Sequence, residues 1–231
     1  MPVRAVLFDL DGTLVDSERQ YGEAMARALV TGLGIAITDE DRAFSIGRSW
    51  VAIHDRLRTV YPALTWARDE LIHRTALASH EVFAEQGVWV LPGAIEAIAR
   101  FADRARGIVT GSSRVECAAM LERLGVAAAF GIVLCAEDVP RSKPAPDGYL
   151  AACARLGVAP HEAVVLEDSA AGIAAARAAG CAVIAVAAGN FAGQDQSAAH
   201  HRAATLDEVT HDLIERVAAA LAGGYGRETN R

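Results

Sequence analysis

The 231-residue chain lacks most of the features that would point quickly to a function. It has no basic stripe: the formal net charge is −7, and the densest basic stretch, Arg100 to Arg106, has Asp103 inside it. A surface that neutralises a run of phosphates needs clustered Lys and Arg, so no nucleic-acid partner is expected. A small anionic ligand is not excluded, because one local cation can hold it. Cysteine is sparse, at Cys117, Cys135, Cys153 and Cys181, with no CxxC pair. That spacing argues against zinc and against a thioredoxin-like site, and reads instead as buried free thiols of a reducing compartment. Hydrophobic runs are short. Only four apolar residues lead into Asp9, far fewer than a signal-peptide core or a membrane span requires. A cytoplasmic protein with no membrane partner is the expectation. There is no internal repeat and no long low-complexity linker.

What is present is ordinary globular material: 52% hydrophobic and 22% charged residues, in a length that suits one large domain or a core with a smaller insert. Ala5-Val6-Leu7-Phe8 is a short unbroken apolar run, as expected of a strand covered on both faces of a parallel sheet. Similar runs recur at Gly107–Val109, Gly131–Cys135, Ala163–Leu166 and Ala182–Val186. Helical patterns separate the later ones. Ser113 with Glu116 makes a capping box for a helix closed by Gly125, Pro146 opens one that ends at Gly157, and Ser169 to Ala179 makes a third. Strand alternating with helix predicts an α/β fold, a doubly wound (Rossmann-like) parallel sheet.

Residues 17–88 break that rhythm. Tyr21, Met25, Leu29 and Leu33 repeat at helical spacing, Thr38 with Asp41 looks like an N-cap, and further helices are expected over Ser49–Val60 and Trp66–Glu85. The expected organisation is a helical cap, residues 17–88, inserted after the first strand of a core made of residues 1–16 and 89–231. Leu206, Val209, Leu213, Val217 and Leu221 mark a last amphipathic helix, and the polar tail after Gly223-Gly224 is expected to fray. No long apolar seam lies on an exposed helix, which favours a monomer.

Four patches carry possible chemistry, and each follows a predicted strand, at the edge where open α/β proteins bind ligands. The first is Asp9-Leu10-Asp11-Gly12-Thr13, where carboxylates two residues apart can share a cavity and Gly12 permits a sharp turn. A lone Asp-x-Asp is more often a solvated turn; the apolar strand before it and the Gly-Thr after it shift the balance. The second is Thr110-Gly111-Ser112-Ser113-Arg114, with hydroxyls and main-chain N–H groups at a helix start, suited to a phosphate oxygen. Helix capping alone explains Ser113 equally well. The third is Lys143, between Ser142 and Pro144, in a loop stiffened by Pro144 and Pro146. The fourth is Glu167-Asp168, a hard-oxygen pair suited to Mg²⁺, although Asp168 could simply cap the next helix.

Together these patches resemble the haloacid dehalogenase superfamily, in its phosphoglycolate phosphatase and β-phosphoglucomutase-like branch. Asp9 to Thr13 matches the family's DxDGT motif, Thr110 its second motif, Lys143 its Lys-Pro-x-Pro-Asp motif, and Glu167 to Gly180 its EDSxxGIxAAxxAG motif. The resemblance implies a phosphatase acting on a small phosphorylated metabolite such as a sugar phosphate or phosphoglycolate. Asp9 would be the nucleophile that becomes an aspartyl-phosphate, and Asp11 the acid and base. Mg²⁺ would be held by Asp9, Asp168 and the main-chain carbonyl of Asp11, with Glu167 holding a metal-bound water. Lys143 would offset charge, and Thr110 with Gly111, Ser112, Ser113 and Arg114 would bind phosphate and substrate. In the cap, Arg48 is the first candidate for substrate binding, followed by His54, Trp50, with Tyr21 placed near the start of the first cap helix.

Departures narrow the choice. Dehalogenases of the superfamily lack an acid at the position of Asp11, and the phosphonate-cleaving members need a cap lysine, of which residues 17–88 have none. The β-phosphoglucomutases place a histidine where Tyr21 stands here. That weakens the reading as an isomerase moving phosphate within a sugar, which remains the alternative. A non-catalytic regulatory protein on the same scaffold is disfavoured by the intact set of Asp9, Asp11, Thr110, Lys143 and Asp168.

Overall fold

A computed structural model describes residues 2–228, without the side chains of 222–228; of the polar tail expected to fray, residues 225–228 continue the last helix and residues 229–231 lie outside the described residues. The chain divides into two compact units, Met1–Val15 with Val90–Arg231, and Asp16–Trp89.

The first unit is built on β1 (Ala5–Phe8), whose four residues are all fully buried. It has no polar alternation because both faces of the strand are covered. Burying Leu7 and Phe8 alone contributes roughly 1.5–3 kcal/mol each. β1 pairs in parallel with β2 (Ala105–Val109) and with β4 (Ala163–Glu167). Beyond them lie β3 (Ile132–Leu134) next to β2, then β5 (Ala182–Val186) and β6 (His201–Ala203) next to β4. Among the described residues this makes a six-stranded parallel sheet in the order β3-β2-β1-β4-β5-β6. The chain builds outward from β1 to one side and then restarts on the other, so β1 lies at the point where the strand order reverses. Phe8 stands opposite both Ile108 and Leu166. Asp9 therefore emerges where neighbouring strands end, the position at which doubly wound sheets bind ligands.

The helices follow their predicted signals. One spans Arg114–Arg123, with Ser113 and Glu116 forming the full capping box; another, Asp147–Leu156, is closed by Gly157; a third covers Ala170–Ala178. Three elements differ from expectation. β6 had no apolar run, since His201 and Arg202 are exposed on an edge strand whose ladder hydrogen bonds alone define it. A helix over Ala94–Arg100 went unrecognised. The last helix begins at His211 rather than Leu206, because the Thr205 side chain caps Asp207 and turns Leu206–Glu208 into a short 3-10 segment. No helix among the described residues is long and apolar enough to cross a membrane.

The second unit is four helices, α1 (Ser17–Leu33), α2 (Asp39–Ser45), α3 (Trp50–Val60) and α4 (Arg68–Gln86). Met25 and Leu29 of the predicted stripe bury with Ile35, Ile37, Ile53, Leu57, Leu64 and Leu71 in one cluster. A β-carbon on Gly32 would fall 2.3 Å from the Trp66 ring, so the small residue is what lets the indole lie against α1. The unit also contains a buried polar knot. Asp41, 3% exposed, accepts from Tyr61 Oη at 2.5 Å, from Arg56 Nε at 2.8 Å and from Thr38 Oγ1 at 2.8 Å. Burial by itself would raise the Asp41 carboxyl, but Tyr61, Arg56 and Thr38 outweigh it and hold the pKa at about 2.

Because the folded pKa lies below the unfolded carboxylate value, this stabilisation is complete above about pH 4 and disappears as pH falls through 2. Asp41→Asn is expected to lower stability at pH 7 by roughly 2 kcal/mol. The gap between wild type and variant, read from urea denaturation, should close between pH 4 and pH 2.

Candidate active site

All residues described next belong to the sheet-bearing unit unless stated. The N–H of Asp9 donates to Leu166 O at 3.0 Å, which continues the β1–β4 ladder by one rung and fixes where the Asp9 carboxylate starts. The chain then turns tightly: Leu10 O accepts from the N–H groups of Thr13, Leu14 and Val15. Gly12 is at φ +83°, and a β-carbon there would sit 2.3 Å from Asp168 Oδ2. The glycine is thus required twice, by its backbone and by the carboxylate beside it. Thr13 Oγ1 donates to Asp168 Oδ1 at 3.3 Å.

Across β1, at the end of β2, Thr110 Oγ1 donates to Asp11 Oδ2 at 3.3 Å, and Ser112 Oγ makes a short bond to the same oxygen. The Ser112 N–H turns back to Thr110 Oγ1 at 3.0 Å. Asp11 therefore faces the second motif, and Ser112 is part of the group. Ser113 and Arg114 are otherwise engaged. Ser113 caps its helix and donates to Glu116 Oε2 at 2.6 Å, while Arg114 gives its N–H to Glu137 and its guanidinium to Asp138 at 2.7 Å.

The strongest electrostatic feature is Lys143. Its ammonium reaches Asp9 Oδ1 and Glu167 Oε1, each at 2.5 Å, with Asp9 nearly and Glu167 fully buried. It is the only lysine of the chain, a compositional signal stronger than the prolines of its loop. Burial would lower its pKa, but Asp9, Glu167 and Tyr149 outweigh that and hold it well above the usual value. Glu167 is fully used. Its Oε1 accepts from Lys143 and from Tyr149 Oη at 2.9 Å, and its Oε2 from the Ser169 N–H at 3.0 Å and Ser169 Oγ at 2.9 Å. With two donors on each oxygen, Glu167 holds the lysine in place. Tyr149, fully buried on the Asp147–Leu156 helix, had no distinguishing signal in the sequence.

Asp9, Glu167 and Asp168 each present one carboxylate oxygen within 4.8 Å of the others, and all three are buried. With Asp11 that is four acids against one ammonium. Burial pushes the Asp9 carboxyl well above its ordinary range; Lys143 opposes the shift, and Glu167, Asp168 and Asp11 add to it. A hard divalent cation fits this donor set: oxygen ligands only, and an excess of negative charge that one lysine does not balance.

In the helical unit, Arg48 is exposed and its guanidinium carbon lies 4.2 Å from the centre of the Phe44 ring. His54 is buried, its Nε2 3.0 Å from Trp66 O. Trp50 packs on the apolar cluster, and the Tyr21 ring stands edge-on to Phe83 at 5.7 Å.

A family model for haloacid dehalogenase-like hydrolases matches residues 3–180. Phosphoglycolate phosphatase of Escherichia coli K12 is 31% identical over 206 residues, covering 78% of this chain and 79% of that one. Validoxylamine A 7'-phosphate phosphatase of Streptomyces hygroscopicus subsp. limoneus is 34% identical over 189 residues, covering 77% and 82%. A solved structure from Thermotoga maritima assigned to β-phosphoglucomutase superposes with a TM-score of 0.75 at 25% identity, over 94% of this chain and 99% of that one.

One substitution tests the support of Glu167. Gly→Ala inside a helix ordinarily stabilises by about 1 kcal/mol. At Gly172 the added β-carbon would lie 1.6 Å from Glu167 Oε1, so Gly172→Ala is expected to destabilise instead, by about 1–3 kcal/mol in thermal unfolding.

Proposed function

We propose a phosphatase mechanism for this chain, which belongs to the haloacid dehalogenase-like hydrolase family: Mg²⁺-dependent hydrolysis of a small phosphomonoester with Asp9 as nucleophile. The observation that carries it is the single lysine, held between Asp9 and Glu167 inside a buried group of acids at the reversal point of the sheet.

Two anions must meet in this reaction. At about 4 Å, repulsion between a carboxylate and one phosphate charge is on the order of 4 kcal/mol at an effective dielectric near 20. Lys143 opposes that repulsion directly at Asp9. The carboxylates of Asp9 and Asp168 and the main-chain carbonyl of Asp11 would hold Mg²⁺, which when bound supplies further positive charge to the phosphoryl oxygens. An Asp9 oxygen attacks phosphorus, the bond to the ester oxygen breaks, and Asp11 gives that oxygen its proton. Asp11 then takes a proton from water, the water oxygen attacks phosphorus, and inorganic phosphate leaves with Asp9 restored. Thr110 Oγ1 and the Gly111 N–H bind phosphoryl oxygens, with Ser112 beside them. Glu167 acts by keeping Lys143 aimed at Asp9.

Relatives named for phosphoglycolate and for a sugar-like phosphate support a small, polar phosphorylated metabolite as substrate. Residues 17–88 would serve as the cap, with the exposed Arg48 guanidinium as its candidate contact to the substrate. Isomerisation within a sugar phosphate is the competing reading.

The test is release of inorganic phosphate from a panel containing phosphoglycolate and hexose and pentose phosphates. Turnover is expected with Mg²⁺ and to vanish with a chelator. Asp9→Asn should reduce it by at least about 10³-fold. Lys143→Ala is expected to lower kcat by about 10²–10³-fold. Folded protein that releases no phosphate from any ester, yet converts one sugar phosphate into another when a bisphosphate is added, would replace the hydrolase with the isomerase.

A further inference from the structure

The segment between β5 and β6, residues 187–200, contributes nothing to the four motifs and contains no strand or helix, yet it is tightly organised around the back of Asp168. Asn190 and Gln194 close it on itself: Asn190 Nδ2 donates to Gln194 O at 2.8 Å, and the Gln194 N–H donates to Asn190 Oδ1 at 2.7 Å. Gln194 Oε1 then accepts the N–H of Ala170, at the start of the helix that follows Asp168, at 3.1 Å. Gly189 presses on the nucleophile loop so closely that a β-carbon would meet Gly12 O at 2.0 Å.

Gln196 is the centre of this strap. It is 6% exposed, and its Nε2 donates to Asp168 O at 2.8 Å and to Val186 O at 3.0 Å. Its Oε1 accepts from Arg202 Nε at 3.0 Å. Every hydrogen-bonding atom of the amide is used, and the partners dictate its orientation: two carbonyls demand the NH₂ group and a guanidinium demands the oxygen. The β4–β5 register pairs Glu167 with Ala185, so Asp168 and Val186 are the next residues on each strand. The Gln196 amide joins their carbonyls where the ladder ends, in place of a further rung.

We infer that Gln196 is a positioning residue for the metal site, its amide fixing the Asp168 peptide so that the Asp168 carboxylate is presented ready-made to the cation. This rests on the reading of Asp168 as a Mg²⁺ ligand given above. The physical need is plain. Asp168 leaves the sheet at its last rung, and its carboxylate accepts from Thr13 Oγ1 at 3.3 Å. A main chain free to rotate there would spread the carboxylate over several positions, and groups that orient metal ligands typically alter affinity by about 10–100-fold when removed. A glutamine at this place supplies two donors to adjacent carbonyls, which neither a carboxylate nor an apolar side chain of the same length does.

The experiment is Mg²⁺ binding to the full chain by titration calorimetry, in wild type, Gln196→Met and Gln196→Glu, with thermal unfolding in chelator and with KM and kcat alongside. The Mg²⁺ dissociation constant is expected to rise about tenfold or more in both variants, with KM for the ester little changed. Arg202→Met releases the amide oxygen without touching the buried donors. It should shift Mg²⁺ affinity in the same direction, and it answers the question if Gln196 variants do not fold. Unchanged Mg²⁺ affinity in a folded variant with a lowered melting temperature would overturn the inference and leave Gln196 as a packing residue. Wild type that binds no Mg²⁺ would overturn it by a separate route, through the metal reading itself.

Discussion

One buried ammonium orders this site. Lys143 lies between Asp9 and Glu167, and neither acid would be tolerable where it stands without it. Removing charges from water costs several kcal/mol per ion, and a buried ion pair recovers that only when the remaining lone pairs and protons are also satisfied. Here they are: Tyr149 and Ser169 complete Glu167, and Gly172 leaves the room that its carboxylate occupies. The consequence is directional. A fully satisfied Glu167 cannot swing, so Lys143 stays aimed at Asp9.

The same arithmetic of charge explains why the site asks for a cation. Four carboxylates share the end of β1 and β4 with one lysine in a chain that has no second lysine to offer. Burial and the neighbouring carboxylates push the Asp9 carboxyl up, and Lys143 opposes them. In the proposed mechanism a hard divalent ion would add positive charge beside Asp9 and prepare a place for phosphoryl oxygens.

Glycine and small-residue positions carry much of the geometry. Gly12 accommodates Asp168, Gly172 accommodates Glu167, and Gly189 lets the strap touch the nucleophile loop. Each is a place where a carboxylate or a carbonyl occupies the volume that a side chain would have taken. Gly12 and Gly172 fall inside the matched motifs, whereas Gly189 lies in a stretch beyond residues 3–180, the part that the family model matches. It is the contact with Gly12 that gives the stretch its meaning.

The amino-acid sequence by itself determined the sheet and the reactive groups. Unbroken apolar runs such as Ala5–Phe8, alternating with helical patterns, point to strands covered on both sides, and residues that follow parallel strands collect at one edge. That logic brings Asp9, Asp11, Thr110, Lys143, Glu167 and Asp168 to one rim. The capping box of Ser113 and Glu116 located a helix for an equally local reason, whereas the helix after Asp168 is capped by Ser169 and not by Asp168. Tertiary structure decided what no local pattern encodes: that Tyr149 completes Glu167, that Arg114 and Ser113 spend their groups on Asp138 and Glu116, that His54 packs on Trp66, and that Gln196 joins the ends of two strands. β6 belongs with these, since two exposed residues and an alanine become a strand only because β5 offers an open edge. Hydrophobic periodicity reports which face of an element is buried, but the partner of a buried polar group is set by distances between segments far apart in the chain. Only the folded sheet brings those segments together.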